Sequence, residues 1–550
     1  MDLKGRPSRS MLASKSMFTS NGRPCRHQDR TIADRKRVPT NMTPLVPCRM
    51  QVRLSKRKHM IGKTFLSMIL VILCLPGCLM GPDYQQPDLT VPESWNRMTL
   101  DGSSSQLPIT VGQVPEAEWW RMFANDELNG LIEQALDRNH DLRKAAFRVQ
   151  EARAIAYGSG AGLYPNLSLV GDYTRIRRSE TILVAPTGGA PQGFAPPGAD
   201  FDIWRTAIDL RWELDLWGRI RRGKEAFSAE ALGSEMNRRG LLLSLVGEVG
   251  QAFFRLRELD EQVEIAERNL AIQQDALSII TNRAQAGLVS DLDVKREEAL
   301  VAETASQIPE LRRQRAVQLH QLEVLTAANP GTLILSSKPL RSVVVQPTIP
   351  VGLPSDLLQR RPDILEKEEI LKAANARIGE ARAYFFPTVA LTGTGGFLTS
   401  EFDQWFKWGS RNMTIGPSVT LPIFEGFTNL ARLEVAENRY QQMLEDYHQT
   451  ILNAFREVAD VLVALQTRKE QLASQRQQVA AARESLELAD IRYRKGLVSY
   501  IDVLDAQRIV LVAELGVVQT ERARLTAMVD LFKAIGGGWE QEYLAQATPQ

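Results

Sequence analysis

The sequence predicts an α+β membrane protein built from two internal repeats, and three observations predict it. The segment Gly287–Val294 (GLVSDLDV) returns as Gly496–Val503 (GLVSYIDV), each time between long helical patterns. Each copy also contains short segments in which apolar and polar residues alternate. Because the copies are too far apart for a solenoid repeat, we expect one duplicated unit of long helices and short strands.

The long helices are predicted by heptad patterns in both repeats. In residues 245–280 and again in residues 444–493, apolar residues recur at alternating steps of three and four, with few polar interruptions. This spacing is typical of a coiled-coil seam. A helix over residues 222–286 would be about 100 Å long, which exceeds the size of a compact domain.

Each seam ends at a predicted tip, where one helix turns into the next. Gly287 and Gly496 stand where a left-handed helix end favours a residue without Cβ, and Ser290 and Ser499 stand where the next helix needs an N-cap oxygen. The tips also carry apolar residues, namely Leu288, Val289, Leu497 and Val498. These eight tip residues predict a docking surface for a partner protein, or alternatively apolar contacts that close each turn.

Four strands are predicted, two in each repeat. In residues 204–217, charged residues (Asp209, Arg211, Glu213, Asp215) alternate with apolar ones, which suits a membrane strand with lipid on one side and water on the other. The other three strands are predicted at 163–175, 387–397 and 412–424. Four strands cannot close a barrel, so they require identical neighbours if they meet lipid. A soluble sheet with one wet face is the alternative.

The amino-terminal region is predicted to be removed. Residues 1–59 are expected to be a disordered leader or an over-long gene start, and residues 60–77 read as a lipoprotein signal peptide with a short apolar run. The sequence around Cys78 resembles the lipobox of bacterial lipoproteins, which implies diacylglycerol and palmitate on this cysteine and an outer-membrane location. The alternative is a buried cysteine after a chance apolar run.

The charge balance argues against nucleic acid as a partner. The formal net charge is +2, but residues 1–77 hold 16 of the 67 Lys and Arg and only 3 of the 65 Asp and Glu, so the remaining chain is acidic. The histidines have no close metal-ligand spacing and there is no Cys-x-x-Cys, so we predict no metal, no other cofactor and no enzyme activity. The basic run Arg219–Lys224 is followed by Glu225, which lacks the hydroxyl of a phosphate-binding loop.

The sequence resembles the outer-membrane efflux protein family, the TolC-like channels of tripartite pumps, and within it the lipoprotein branch. The carrying segments are Gly81–Tyr84, Trp119–Trp120, Leu131–Ala135, Arg360–Ile364, Ala374–Gly379, Phe385–Pro387, Gly416–Pro417, Leu421–Phe424 and Ala454–Asp460. The resemblance implies a homotrimer with four strands per chain in one transmembrane β-barrel, and a coiled-coil α-barrel that extends into the periplasm. It also implies a periplasmic adaptor and an inner-membrane pump as partners.

A periplasmic gate is predicted just past the second tip. Asp502 and Asp505 stand three residues apart and therefore share one helix face. The resemblance places the positions of Ile501, Asp502, Asp505 and Arg508 at the periplasmic constriction. The alternative is a solvated Asp–Arg pair on an ordinary helix.

These predictions divide the chain into six segments: 1–59, 60–77, a lipid-anchored segment 78–125, a first repeat 126–335, a second repeat 336–540 and a tail 541–550. The predicted function is an exit duct for drugs or other small molecules that an adaptor and a pump deliver. A duct for type I protein secretion is one alternative. A coiled-coil envelope spacer that conducts nothing is the alternative from another class.

Overall fold

The computed structural model describes residues 79–89, 91–92, 95, 109–110, 118–177, 179, 200–343, 349–350 and 352–537. The predicted leader, the signal peptide, Cys78 and the tail 541–550 lie outside these residues.

Long helices and one sheet make up most of the described chain. The first half contains α1 (Asp126–Arg138), α2 (His140–Ser159), β1 (Asn166–Arg177), β2 (Asp200–Leu214), α3 (Arg219–Gln285) and α4 (Asp291–Leu325). The second half contains α5 (Pro362–Ala383), β3 (Thr388–Thr399), β4 (Arg411–Thr420), α6 (Thr428–Arg494) and α7 (Tyr500–Ala534). A four-residue helical turn lies at Leu357–Arg360, and Ile109–Thr110 pairs in parallel with Ile349–Pro350. Short 3-10 turns lie at Trp119–Phe123, Gly160–Leu163, Leu340–Ser342, Pro354–Asp356, Phe402–Gln404 and Trp408–Ser410.

The helix pairs of the two halves have matched lengths. Helices α3 and α6 each have 67 residues, and α4 and α7 each have 35. The apolar seam residues of α3 and α6 are buried or half-buried throughout, and the exposed position of the α6 seam is a polar interruption, Arg468. Helix α3 packs against α2, α4, α5 and α7, while α6 packs against α5 and α7. The heptad seams are therefore buried faces on which the two long helices pack against neighbouring helices.

The main hydrophobic core lies where the turn at Trp119–Phe123 meets the long helices. The Trp119 ring stacks on Phe532 of α7 with centroids 4.7 Å apart, and the Phe123 ring meets Phe254 of α3 edge-on at 4.9 Å. All four rings are buried. This turn thus joins the first long helix to the last helix of the described chain.

The four strands form one antiparallel sheet in the order β1-β2-β3-β4. Its register aligns Leu169 with Ile208, and Leu210 with Gly393, which in turn faces Ile415. Because side chains alternate along a strand, this register separates the sheet into an apolar and a polar face. In the described chain β1 pairs only with β2 and β4 only with β3, so the sheet has two open edges.

The strand ends differ from the predicted ones for local reasons. Strand β2 ends at Leu214 and not at residue 217, because the Asp215 carboxylate accepts hydrogen bonds from the backbone N–H groups of Ile220 (3.1 Å) and Arg221 (2.9 Å). Asp215 therefore caps α3 and does not continue the charged strand face. Strand β4 ends at Thr420 and not at residue 424, since Pro422 has no N–H for the ladder.

Candidate channel wall, helical tips and anchor segment

The polar face of the sheet is organised by cross-strand ion pairs. The Arg205 guanidinium lies 2.8 Å from Asp209 on the same strand and 3.3 Å from Asp172 on β1. The Thr394 hydroxyl of β3 donates to Asp209 at 2.7 Å. Of the charges predicted on this face of β2, Asp209 is thus paired and hydrogen-bonded to neighbours on the same face, which suits contact with water and not with hydrocarbon.

The apolar face is uncovered in the single chain. Its side chains are Leu167, Leu169, Tyr173, Ile208, Leu210, Trp212, Val389, Leu391, Met413, Ile415 and Val419. Leu169 is 75% exposed and Ile415 is 60% exposed. A continuous apolar face of this extent marks a lipid or protein contact. Among the described helices, none combines the length and apolarity needed to cross a bilayer.

The two helical tips are built alike. Gly287 (φ +70°) and Gly496 (φ +71°) have left-handed conformations. The next N–H groups, of Leu288 and Leu497, each donate to a carbonyl five residues back, as in a Schellman turn. Ser290 and Ser499 both occupy the N-cap position, but a hydroxyl hydrogen bond forms only at Ser290, which accepts from the Leu292 N–H at 3.1 Å. The predicted capping bond of Ser499 is thus missing.

The apolar tip residues divide between the two predicted roles. Leu288 and Leu497 are exposed (69% and 65%), whereas Val289 and Val498 are half-buried. The valines therefore pack at each turn, and the leucines remain free to contact a partner. Sequence reasoning treated each Leu-Val pair as one unit and did not separate these roles.

The predicted gate residues share one exposed face of α7. Ile501, Asp502, Asp505 and Arg508 are all exposed. Arg508 pairs with Glu303 of α4 at 3.1 Å, so it links two helices and does not form the simple Asp–Arg pair of the alternative. The carboxylates of Asp502 and Asp505 are therefore exposed on the surface of α7.

The two helix pairs are further linked through Glu514 of α7. Its carboxylate lies 2.8 Å from Arg268 of α3 and 2.5 Å from Arg483 of α6. Burial alone raises the pKa of this carboxyl, but hydrogen bonds and charge from the two guanidinium groups outweigh burial and lower its pKa. Glu514 is therefore an ionised bridge between three helices.

The segment directly after Cys78 is held between α3 and α5. The Met80 N–H donates to the Trp217 carbonyl at 3.1 Å, just before α3 begins. Arg222, which is 2% exposed, donates to the Met80 carbonyl at 3.1 Å and pairs with Asp83 at 2.8 Å. Asn375 of α5 donates to the Pro82 carbonyl at 2.9 Å. We call residues 79–84 the anchor strap.

The role of Arg222 is not visible in the run Arg219–Lys224 itself, whose sequence indicates only that a phosphate-binding loop is absent. In the structure Arg219 pairs with Glu213 (2.8 Å) and Arg221 with Asp215 (3.3 Å). The three arginines of the run, Arg219, Arg221 and Arg222, are therefore each paired with an acid elsewhere in the chain. The sequence signal for this contact is the motif Gly81–Tyr84, because its acid Asp83 needs a basic partner elsewhere in the chain.

Replacing Gly379 of α5 by alanine is expected to displace the anchor strap. A Cβ at this position would lie 2.5 Å from the Met80 carbonyl oxygen and 2.9 Å from Nε of Arg222. Because one of these atoms is backbone, we expect a loss of about 1–3 kcal/mol in unfolding free energy, measured by thermal unfolding in detergent. Gly130→Ala is the control, since nothing lies within 4 Å of its added Cβ. Equal stability of the two variants would contradict this packing.

The described residues contain no group of three or more His, Cys, Asp or Glu that could hold a metal ion. The chain matches the family model described as outer membrane efflux protein over residues 131–328 and 353–537. It is 32% identical to the cation efflux system protein CusC of Escherichia coli over 474 residues, which is 86% of this chain and 98% of that protein. It is 34% identical to the probable efflux pump outer membrane protein TtgC of Pseudomonas putida over 492 residues, covering 89% and 98%. The solved outer-membrane channel OprN superposes with a TM-score of 0.77 at 30% identity, covering 84% of this chain and 100% of that one.

Proposed function

This chain belongs to the outer membrane efflux protein family, and from that premise we propose that it is the outer-membrane channel subunit of a tripartite efflux system. In this role it is a passive exit duct for drugs or other small molecules that a periplasmic adaptor and an inner-membrane pump deliver. The observation that carries the proposal is the sheet with one apolar and one polar face, open at both edges and continuous with long helices.

A homotrimer would complete the duct. Two open edges inside hydrocarbon would leave backbone groups unpaired at a cost of several kcal/mol each, so β4 of one chain has to pair with β1 of the next. Three chains supply twelve strands, which suffices for a closed barrel. The contacts between α2 and α3, α3 and α5, and α5 and α6 line up four helices per chain. Three copies of this row give a wall of twelve helices, and the matched helix lengths support a duplicated unit.

The test is the oligomeric state together with conductance. We expect the purified, detergent-solubilised protein to have the mass of a trimer and to form discrete channels in planar bilayers. A folded monomer without conductance would overturn the proposal. A trimer that conducts nothing would favour the envelope spacer. If the gene is deleted, dyes and antibiotics should accumulate inside the cells. If the deletion instead only removes a protein from the culture medium, type I secretion is the better description.

We also propose that Cys78 carries the lipid anchor. The support is the anchor strap, since Leu79 lies against Gly218 at the junction between β2 and α3. Acyl chains on the preceding residue would therefore reach the membrane at the periplasmic end of the sheet. Mass spectrometry of the mature amino terminus tests this: an unmodified cysteine, or a longer amino terminus, would contradict it.

The exposed leucines of the tips are proposed to dock the adaptor. Leu288 and Leu497 end two helix pairs of equal length, so they lie at equivalent positions in the two halves. Apolar side chains that are exposed at a turn cost solubility unless a partner covers them. Cross-linking from these two positions to the adaptor in cells tests the proposal, with no cross-link as the contrary result.

Neutralising the gate should open it. In a trimer Asp502 and Asp505 would each form a ring of three carboxylates, which holds multivalent cations in a narrow pore so that they obstruct it. The double variant Asp502→Asn/Asp505→Asn is expected to raise single-channel conductance or to abolish block by multivalent cations, as measured in planar bilayers. Asp291→Asn, at the first turn of α4, is the control and should behave as the wild type. If the double variant also matches the wild type in both respects, the gate is assigned wrongly.

A further inference from the structure

A second, smaller hydrophobic cluster joins four helices close to the tips. Its buried members are Ile280, Leu300, Tyr500, Val503 and Leu504, and Val294, Leu486, Ala489 and Tyr493 pack against it. These residues come from α3, α4, α6 and α7, so the cluster holds the helix pair α3/α4 against the pair α6/α7. It is separate from the main core. The contact between the two pairs at this level therefore depends on a few side chains.

One acid lies inside this cluster. Glu297 of α4 is 0% exposed. Its Oε2 atom accepts a hydrogen bond from the Tyr500 hydroxyl at 2.9 Å, while Oε1 has no hydrogen-bond partner. A buried carboxylate with a single donor is costly, and the neutral acid is preferred. Burial raises the pKa of Glu297, and the hydrogen bond from Tyr500 lowers it by less.

The charged groups around this pair are committed to other contacts. From α3, the Arg283 guanidinium lies 5.0 Å over the Tyr493 ring of α6. From α6, Asp490 pairs with Arg494 at 2.8 Å. On α4 itself, Asp293 pairs with Arg296 at 3.7 Å. Burial raises the pKa of Tyr500, and the nearby acids Glu297 and Asp490 raise it further, so this hydroxyl stays a donor.

We propose that Glu297 and Tyr500 form a proton-controlled latch between α4 and α7, which rests on the proposed function as a gated duct. With Glu297 protonated, the cluster stays dry and the two helix pairs are held together. When Glu297 loses its proton, the buried charge favours separation of α7 from α4. The first two turns of α7, with Asp502 and Asp505, are then released.

The direction of the pH dependence follows from proton linkage. The pKa of Glu297 is higher in the closed arrangement than in an open one, so the closed state binds more protons. The stabilisation is complete at acidic pH and is lost as the pH rises through the raised value. One proton per chain corresponds to a change of up to about tenfold per pH unit in the ratio of open to closed.

Hydrogen exchange on the full-length protein in detergent tests the latch. We expect the amides of residues 497–505 to lose protection as the pH rises above 4.5, the ordinary pKa of a glutamate carboxyl. After correction for the intrinsic exchange rate, the loss should be up to about tenfold per pH unit. In the Glu297→Gln variant, which keeps a neutral group of the same shape, protection should not vary with pH. Glu298→Gln, an exposed neighbour paired with Lys295, should retain the wild-type profile.

Each outcome decides the proposal. Protection that does not vary with pH in the wild type, or a pH profile that survives in Glu297→Gln, would overturn the latch. Bilayer conductance separates the latch from the duct, since a pH-dependent exchange profile without any conductance would leave the latch standing and count against the duct. Conductance that is insensitive to pH would show that the pair does not control the gate.

Discussion

Replacing Ile415 by arginine is expected to prevent assembly in the outer membrane. Ile415 lies in the middle of the edge strand β4, on the apolar face of the sheet, and is 60% exposed in the single chain. In a soluble protein an exposed isoleucine could be replaced at little cost. If this face meets lipid, an arginine near the bilayer centre costs about 2–4 kcal/mol per chain. The amount of trimer in outer-membrane fractions should fall more than tenfold, measured by native gels.

The neighbouring residue supplies the control for this experiment. Thr414 is also exposed in the single chain, but its side chain lies on the polar face beside Thr394. Thr414→Arg adds the same charge to the same strand, so it should leave the trimer nearly unchanged. If both variants assemble equally well, the apolar face does not contact lipid, and a soluble sheet is the better description.

Replacing Arg257 by methionine is expected to have the largest effect on stability. Arg257 is 1% exposed and lies 2.7 Å from Glu127 of α1 and 2.9 Å from Asp260 of α3. It also donates to the Ser336 carbonyl, in the segment after α4. Removing one partner of a buried ion pair leaves the other charge uncompensated, at about 3–5 kcal/mol. Because Asp260 retains Arg315, the lower end of this range is expected in thermal unfolding.

A surface arginine provides the comparison. Arg313 pairs with Glu310 at 2.7 Å, but both side chains are at least half exposed to water. Exposed ion pairs contribute about 0–1 kcal/mol, so Arg313→Met should change the unfolding free energy by less than about 1 kcal/mol. A large loss in this variant, or a small one in Arg257→Met, would mean that burial does not set the value of these pairs.

The sheet was predictable because its signal is local. Charged and apolar side chains alternate along Asp209–Trp212, and successive side chains of any strand point to opposite faces. The polar and apolar faces of the sheet can therefore be predicted from the sequence. The ends were less predictable, because Asp215 is used as a helix cap and only the turn geometry reveals this. The left-handed glycines at the tips were predictable for the same reason as the strands, since a Cβ there would be strained.

The buried acids were not predictable, because their partners are distant in sequence. Glu297 is surrounded by charged neighbours in a helical pattern and resembles a solvent-facing residue. Its burial depends on Tyr500, which is 203 residues away. The same holds for Arg222, whose partner Asp83 lies in a segment without regular structure. Contacts of this kind arise from the packing of whole helices, which no local pattern encodes.

Because α3 and α6 have equal lengths, the two halves of the protein extend the same distance from the sheet to their tips. Each helix of 67 residues reaches about 100 Å, and one heptad corresponds to about 10 Å of reach. A heptad gained in one half alone would set its tip about 10 Å beyond the other, so the two leucines proposed to dock the adaptor would no longer lie level. A change in reach that keeps the two tips level therefore requires both halves to lengthen or shorten by the same number of residues.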